Sequence, residues 1–141
     1  MIGIIVTGHG SFATGITSGL SLLAGKLEQY EAVDFVPEDS VDTLTEKLAK
    51  AVERLAGCSG ILIYTDLTGG SPFNVSIRIK MERPEKLEVL GGSNLPAVLD
   101  GYMSRMVCDE VTELAGRALE AGKNAMVLFA PSLDDDEEYE E

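Results

Sequence analysis

The sequence predicts an α/β domain built on a parallel sheet, and three observations carry that expectation. Short apolar runs the length of a strand recur along the chain. The segments between them repeat their apolar residues every three or four positions, as amphipathic helices do. Proline or a small polar residue opens several of these segments and glycine closes them. Strands that alternate with helices at this spacing form βαβ units with right-handed crossovers, in a doubly wound, mainly parallel sheet.

Taken in order, Met1–Val6 is an isoleucine-rich run that reads as a strand buried on both faces and stops at Gly8-His9-Gly10. Ile16, Leu20 and Leu23 then mark one face of a helix, with Gly25 as its stop signal. Val33–Val36 is a brief second strand. Ser40 or Asp39 caps a helix whose apolar face is Val41, Leu44, Leu48, Val52 and Leu55, ended by Gly57. Gly60–Thr65 is the third strand, and Pro72 suits the first turn of a helix running to about Glu82, where a missing N–H costs nothing. Leu87–Leu90 is the fourth strand, closed by Gly91-Gly92-Ser93-Asn94, and Pro96 again suits a helix start. A last helix carries Val111, Leu114, Ala118 and Leu119 to near Gly122, and Ala125–Phe129 reads as a fifth strand.

The 141 residues are enough for one domain with a real core, expected over 1–132, with 133–141 as a disordered acidic tail. The net charge is −13, and Asp134, Asp135, Asp136, Glu137, Glu138, Glu140 and Glu141 supply seven of those charges. The remaining body is still acidic, which argues against nucleic acid and anionic membranes as partners and favours a basic protein. Cys58 and Cys108 form no CxxC pair, so no redox dithiol or structural zinc site is expected, and the thiols fit a reduced, cytoplasmic chain. No apolar run approaches the roughly 18 residues that span a bilayer, and the N-terminus lacks signal-peptide features.

In open α/β sheets ligands bind beyond the carboxyl ends of the strands, which directs attention to the loops after strands one, three and four. These hold His9, Asp66 to Ser71, and Ser93 with Asn94. Gly8 and Gly10 strip side chains from both sides of His9, the only histidine, and leave its ring open to a bulky reactant. Asp66 can accept a hydrogen bond from one ring nitrogen and leave the other unprotonated and nucleophilic. Thr68, Gly69, Gly70 and Ser71 precede a helix start, where free N–H groups favour an anion. A nucleophile, an orienting carboxylate and an anion cradle are what phosphoryl transfer asks of a protein.

Other chemistries fit less well. No GxxxxGK[ST] loop is present to bind ATP, so the phosphoryl group must come from something other than bound nucleotide. One histidine with dispersed carboxylates makes no usual zinc shell, so neither a metal nor another cofactor is expected. Ser11, Ser71, His9 and Asp66 could assemble a hydrolytic site, but no G-x-S-x-G elbow occurs.

Three stretches, Gly3 to Ala13, Thr65 to Asn74 and Gly92 to Pro96, together resemble the mannose-family IIA component of the bacterial phosphoenolpyruvate-dependent sugar phosphotransferase system. The resemblance covers Met1 to about Ser132 and implies strand order 2-1-3-4, with the fifth strand antiparallel and exchanged in a homodimer. It implies that His9 accepts a phosphoryl group from phospho-HPr and passes it to a histidine on a IIB protein, for sugar uptake through a membrane pair. It further implies that Asp66 stands beside the active histidine, that Thr68, Gly70 and Ser71 hold the phosphoryl oxygens, and that Phe12 and Asn94 line the mouth. Gly8 stands where members commonly have threonine, and Thr68 where they have an aromatic or aliphatic residue. An acidic tail in place of an Ala-Pro-rich linker implies a stand-alone IIA. The alternatives are a phosphotransfer subunit of a dihydroxyacetone kinase, and a regulatory binding module of the same fold.

Overall fold

A computed structural model describes residues 1–84 and 86–132. The elements run β1 (Gly3–His9), α1 (Phe12–Ala24), β2 (Tyr30–Phe35), α2 (Val41–Arg54), β3 (Ile61–Thr65), α3 (Ser71–Glu82), β4 (Leu87–Leu90), α4 (Leu95–Ser104) and α5 (Val111–Ala125). All ladders between the four strands are parallel and their order is β2-β1-β3-β4. The expected doubly wound sheet of order 2-1-3-4 is therefore present.

Alternate residues of the strands feed two cores. Ile4, Val6, Leu62 and Tyr64 pack against α1, α4 and α5, while Ile5, Ile61 and Ile63 pack against α2 and α3. Burial on both faces explains why β1 and β3 read as continuous apolar runs rather than alternating ones. Tyr64 is fully buried and satisfies its hydroxyl by donating to the Ala97 carbonyl at 2.9 Å. Gly101 is matched to it, since a Cβ there would overlap the Tyr64 hydroxyl. Arg105, 4% exposed, donates to the carbonyls of Ile2 (2.9 Å) and Glu28 (2.5 Å) and stacks 4.1 Å over the Tyr102 ring.

Several boundaries differ from the sequence reading. β1 runs past Val6 to His9, pairing on one side with β2 as far as Phe35. β2 begins at Tyr30, and Tyr30 and Ala32 pack on the first core while Val33 joins the second, so the strand is half-buried on each face. Ser40, one of the two proposed caps of α2, accepts from the Thr43 N–H at 3.1 Å in a reciprocal capping box. α5 does not stop at Gly122 but continues to Ala125. Gly122 has a packing role: a Cβ there would meet the Ala97 Cβ at 2.9 Å, so its absence lets α5 lie close against α4.

The fifth strand expected at Ala125–Phe129 is not formed among the described residues. Ala125 ends α5, and residues 126–130 belong to no strand. Met126, Val127, Leu128 and Phe129 are 82%, 74%, 93% and 59% exposed. The expected acidic tail, 133–141, lies outside the described residues. Among the described residues no helix is long and apolar enough to cross a membrane.

Candidate functional site

With order β2-β1-β3-β4, the chain reverses its winding between β1 and β3, and a crevice opens at their carboxyl ends. His9 is the last residue of β1 and Asp66 follows the last residue of β3. The two meet there. Asp66 Oδ2 accepts from the His9 backbone N–H at 2.9 Å and lies 2.8 Å from His9 Nδ1. Asp66 Oδ1 accepts from the Leu67 N–H at 2.9 Å. One carboxylate oxygen thus grips both the main chain and the ring of the histidine, while the other is tied to its own loop.

The Asp66 side chain is only 13% exposed, against 45% for His9. Partial burial pushes the Asp66 carboxyl up, but the hydrogen bonds and attraction from His9 and the bond from Leu67 outweigh it, so the net shift is downward. An ionised carboxylate can only accept, so Nδ1 carries the proton of this bond, and in the neutral ring Nε2 keeps its lone pair.

The ring lies over the amino end of α3. Gly70 is the N-cap of α3, and a Cβ on it would stand 2.7 Å from His9 Cε1 and 3.3 Å from Nε2, so only glycine lets the ring approach this closely. Gly69 turns the chain into the helix with φ +96°, a conformation that strains other L-residues. The first helical backbone bond runs from Asn74 N to Gly70 O at 2.8 Å, and Pro72 has no N–H to donate. The N–H groups of Ser71 and Phe73, in the first turn of α3, therefore have no partner within the helix. The Ser71 hydroxyl makes no hydrogen bond within the described residues.

The second helix that begins beside His9 is closed by contrast. Ser11, the N-cap of α1, provides no side-chain cap, and Asp34 from β2 caps the helix across the sheet. Its carboxylate accepts from the Thr14 N–H at 3.0 Å and from the Thr14 hydroxyl at 2.7 Å. A carboxylate already fills that helix terminus, so the α3 terminus is the free anion cradle of the pair.

The rim residues fare unequally. Gly8 is confined, since a Cβ on it would come within 2.6 Å of the Phe12 Cδ2 and 2.9 Å of the Asp66 Cγ. Phe12 thereby occupies space that a larger residue at position 8 would need. Gly10 bends the strand into α1 with φ +60° and donates to the Phe35 carbonyl at 2.7 Å. Asn94, expected at the mouth, spends its amide elsewhere: it accepts from Ala97 N at 3.0 Å as the α4 cap and donates to the Gly122 carbonyl at 3.0 Å. Thr68, expected to hold the anion, packs its side chain on Gly91 in the neighbouring turn, where a Cβ would stand 2.9 Å from the Thr68 Cα.

Asp34 and Phe35 were not marked by sequence. Both sit at the end of β2, and the Phe35 ring meets the His9 ring edge-on, with centroids 5.9 Å apart. The signal available was position: they are the last residues of a strand adjoining β1. Among the described residues no three His, Cys, Asp or Glu side chains gather closely enough to hold a metal ion.

The family model for EIIA-man, described as the PTS system fructose IIA component, matches residues 3–119. The mannose-specific EIIAB component of Escherichia coli K12 is 33% identical over 125 residues, covering 89% of this chain and 38% of that protein. The chain thus spans well under half the length of this relative. The sorbose-specific EIIA component of Lacticaseibacillus casei is 29% identical over 97 residues, covering 69% of each chain. Among solved structures, the phosphotransferase system component EIIA from Streptococcus agalactiae superposes with a TM-score of 0.85 at 34% identity, covering 92% of this chain and 98% of that one. The mannose/sorbose-specific IIA subunit from Enterococcus faecalis gives 0.83 at 28% identity, covering 93% and 97%. By family model, sequence and fold together, this chain belongs to the EIIA-man family of phosphotransferase-system IIA components.

Proposed function

We propose that this protein is a phosphohistidine carrier in sugar uptake, with His9 Nε2 as the atom that accepts and releases the phosphoryl group. The observation that carries the reading is the pairing of His9 Nδ1 with Asp66 at 2.8 Å, which leaves Nε2 free beside the open amino end of α3. The Nε2 lone pair attacks the phosphorus of phospho-HPr. The Nε2–P bond forms as the donor's N–P bond breaks, and that electron pair leaves on the donor nitrogen. The Nδ1 proton stays in its bond to Asp66, which steadies the positive charge gained by the ring. The N–H groups around Gly69, Gly70 and Ser71, with the Ser71 hydroxyl, receive the equatorial oxygens. Thr68, whose hydroxyl oxygen is the atom nearest the place a Gly91 Cβ would take, supports that loop from the Gly91 side. Attack by a histidine of a IIB protein reverses the same steps.

Positioning accounts for the whole mechanism, and no cofactor enters it. The relatives named above favour this reading over a dihydroxyacetone kinase subunit. Residues 1–132 would form the working domain, in the cytoplasm, where the donor proteins act. The exposed run Met126–Phe129, and the outer edge of β4, which pairs with no strand among the described residues, suit an exchanged strand in a homodimer. The test is incubation with enzyme I, HPr and phosphoenolpyruvate. An acid-labile, alkali-stable phosphoryl group that His9→Ala abolishes is expected; label retained by that variant overturns the proposal.

A further inference from the structure

We propose that Phe35 is a positioning residue for phosphoryl transfer, holding the His9 ring so that Nε2 stays aimed at the amino end of α3; this rests on the carrier reading above. His9 and Phe35 are paired across β1 and β2, so their side chains rise from the same face of the sheet, the one that α2 and α3 cover. Their rings meet at a centroid distance of 5.9 Å with an interplanar angle of 61°. Phe35 also grips the turn after the histidine, because its carbonyl accepts the Gly10 N–H at 2.7 Å.

The need for such a residue follows from how little else restrains the ring. Its sequence neighbours Gly8 and Gly10 have no side chains to pack on it. Its side chain is 45% exposed. The hydrogen bond to Asp66 fixes one ring atom, Nδ1, and a ring held at one atom can still hinge about that bond. Gly70 limits the hinge where it touches Cε1, and Phe35 is the aromatic neighbour that limits it from β2. Three contacts, from the ends of β3 and β2 and from the amino end of α3, orient a rigid imidazole, whereas two leave a swing. An edge-on aromatic pair favours the aligned orientation by up to about tenfold, and a swing that carries Nε2 about 1 Å off line costs on the order of 10²-fold in rate.

The test compares wild type with Phe35→Tyr, Phe35→Leu and Phe35→Met, measuring single-turnover transfer from phospho-HPr at several donor concentrations and the ¹⁵N and ¹H resonances of the His9 ring. The expected result is a loss of about tenfold or more in the limiting rate for Phe35→Leu, with the donor concentration for half-saturation unchanged and Phe35→Tyr near wild type. The leucine variant should also show His9 ring resonances moved or broadened while thermal unfolding stays cooperative. Phe35→Met replaces the leucine variant if that one unfolds. A limiting rate within twofold of wild type in the aliphatic variants overturns the proposal, and so does a change confined to half-saturation, which would make Phe35 a docking residue. Failure of wild type to take up label would instead overturn the carrier reading, so the two failures are distinct.

Discussion

Replacing Gly70 by alanine perturbs the site with almost no change elsewhere. The backbone at Gly70, with φ −73° and ψ 174°, is open to any L-residue, so the substitution brings no conformational strain. The added methyl is the whole perturbation. Its carbon would lie 2.7 Å from His9 Cε1, where carbon atoms prefer about 3.5–4.0 Å. The ring must therefore retreat by roughly 1 Å, and a half-exposed ring has room to do so. Misplacement of a reacting atom by about 1 Å costs on the order of 10²-fold in rate. Stability should change by less than about 1 kcal/mol, because alanine loses a few tenths as an N-cap and regains a similar amount by restricting the unfolded chain. Rapid-quench transfer from labelled phospho-HPr, together with thermal unfolding, reads both quantities. Wild-type transfer by Gly70→Ala would refute the assigned contact between this helix terminus and the reacting ring, and a collapse of the fold would refute the claim that Gly70 serves the site alone.

Other expected outcomes follow from the same geometry. Asp66→Asn should slow transfer by on the order of 10²-fold or more, because an amide no longer selects the Nδ1–H form of the ring; an unchanged rate removes Asp66 from the mechanism. Asp66 is held below its ordinary value in the folded chain, so its contribution to stability is present above the unfolded value of about 4 and is lost as pH falls through the lower folded value. The stability gap between wild type and Asp66→Asn, followed by denaturant unfolding at a series of pH values, should therefore shrink in acid, and a gap that widens there contradicts the sign. Gly101→Ala should cost about 1–3 kcal/mol by overlap with the Tyr64 hydroxyl, and adding Tyr64→Phe should recover part of the loss, with additive effects excluding the contact. Truncation after Ala125 should convert a dimer to a monomer in sedimentation velocity, and an unchanged mass would exclude the exposed arm as the interface.

The alternation of strands and helices is readable because both faces of the sheet's centre are buried, which writes β1 and β3 as plain apolar runs. β2 was harder. Glu31 and Asp34 interrupt its apolar residues, although Glu31 pairs with Arg54 at 2.9 Å and Asp34 caps α1, so both charges have local uses that spacing alone does not display. Gly122 misled in the usual way for glycine: the same residue that ends helices also lets two helices approach. Asn94 follows the fourth strand as its sequence position implies, but its capping bonds are a local preference of asparagine that competes with any reading as a ligand.

The core of the site was legible because histidine between two glycines and a helix start after a glycine-rich turn each carry a physical signal. Their meeting follows from the switch in strand order between β1 and β3. Phe35 carried no comparable signal, since a phenylalanine ending a strand reads as core until its ring is seen against the imidazole. Likewise, the apolar run Ala125–Phe129 has the composition of a strand, but a strand needs a ladder, and among the described residues this run belongs to none.

The central claim is that Nε2 of His9 carries the phosphoryl group while Asp66 holds Nδ1. The direct measurement is ³¹P and ¹⁵N NMR of the protein labelled in its histidine ring and phosphorylated through enzyme I and HPr. A single phosphoryl group on Nε2, with Nδ1 still protonated, is the predicted result. Phosphorus on Nδ1, or on a hydroxyl such as that of Ser71, would contradict it.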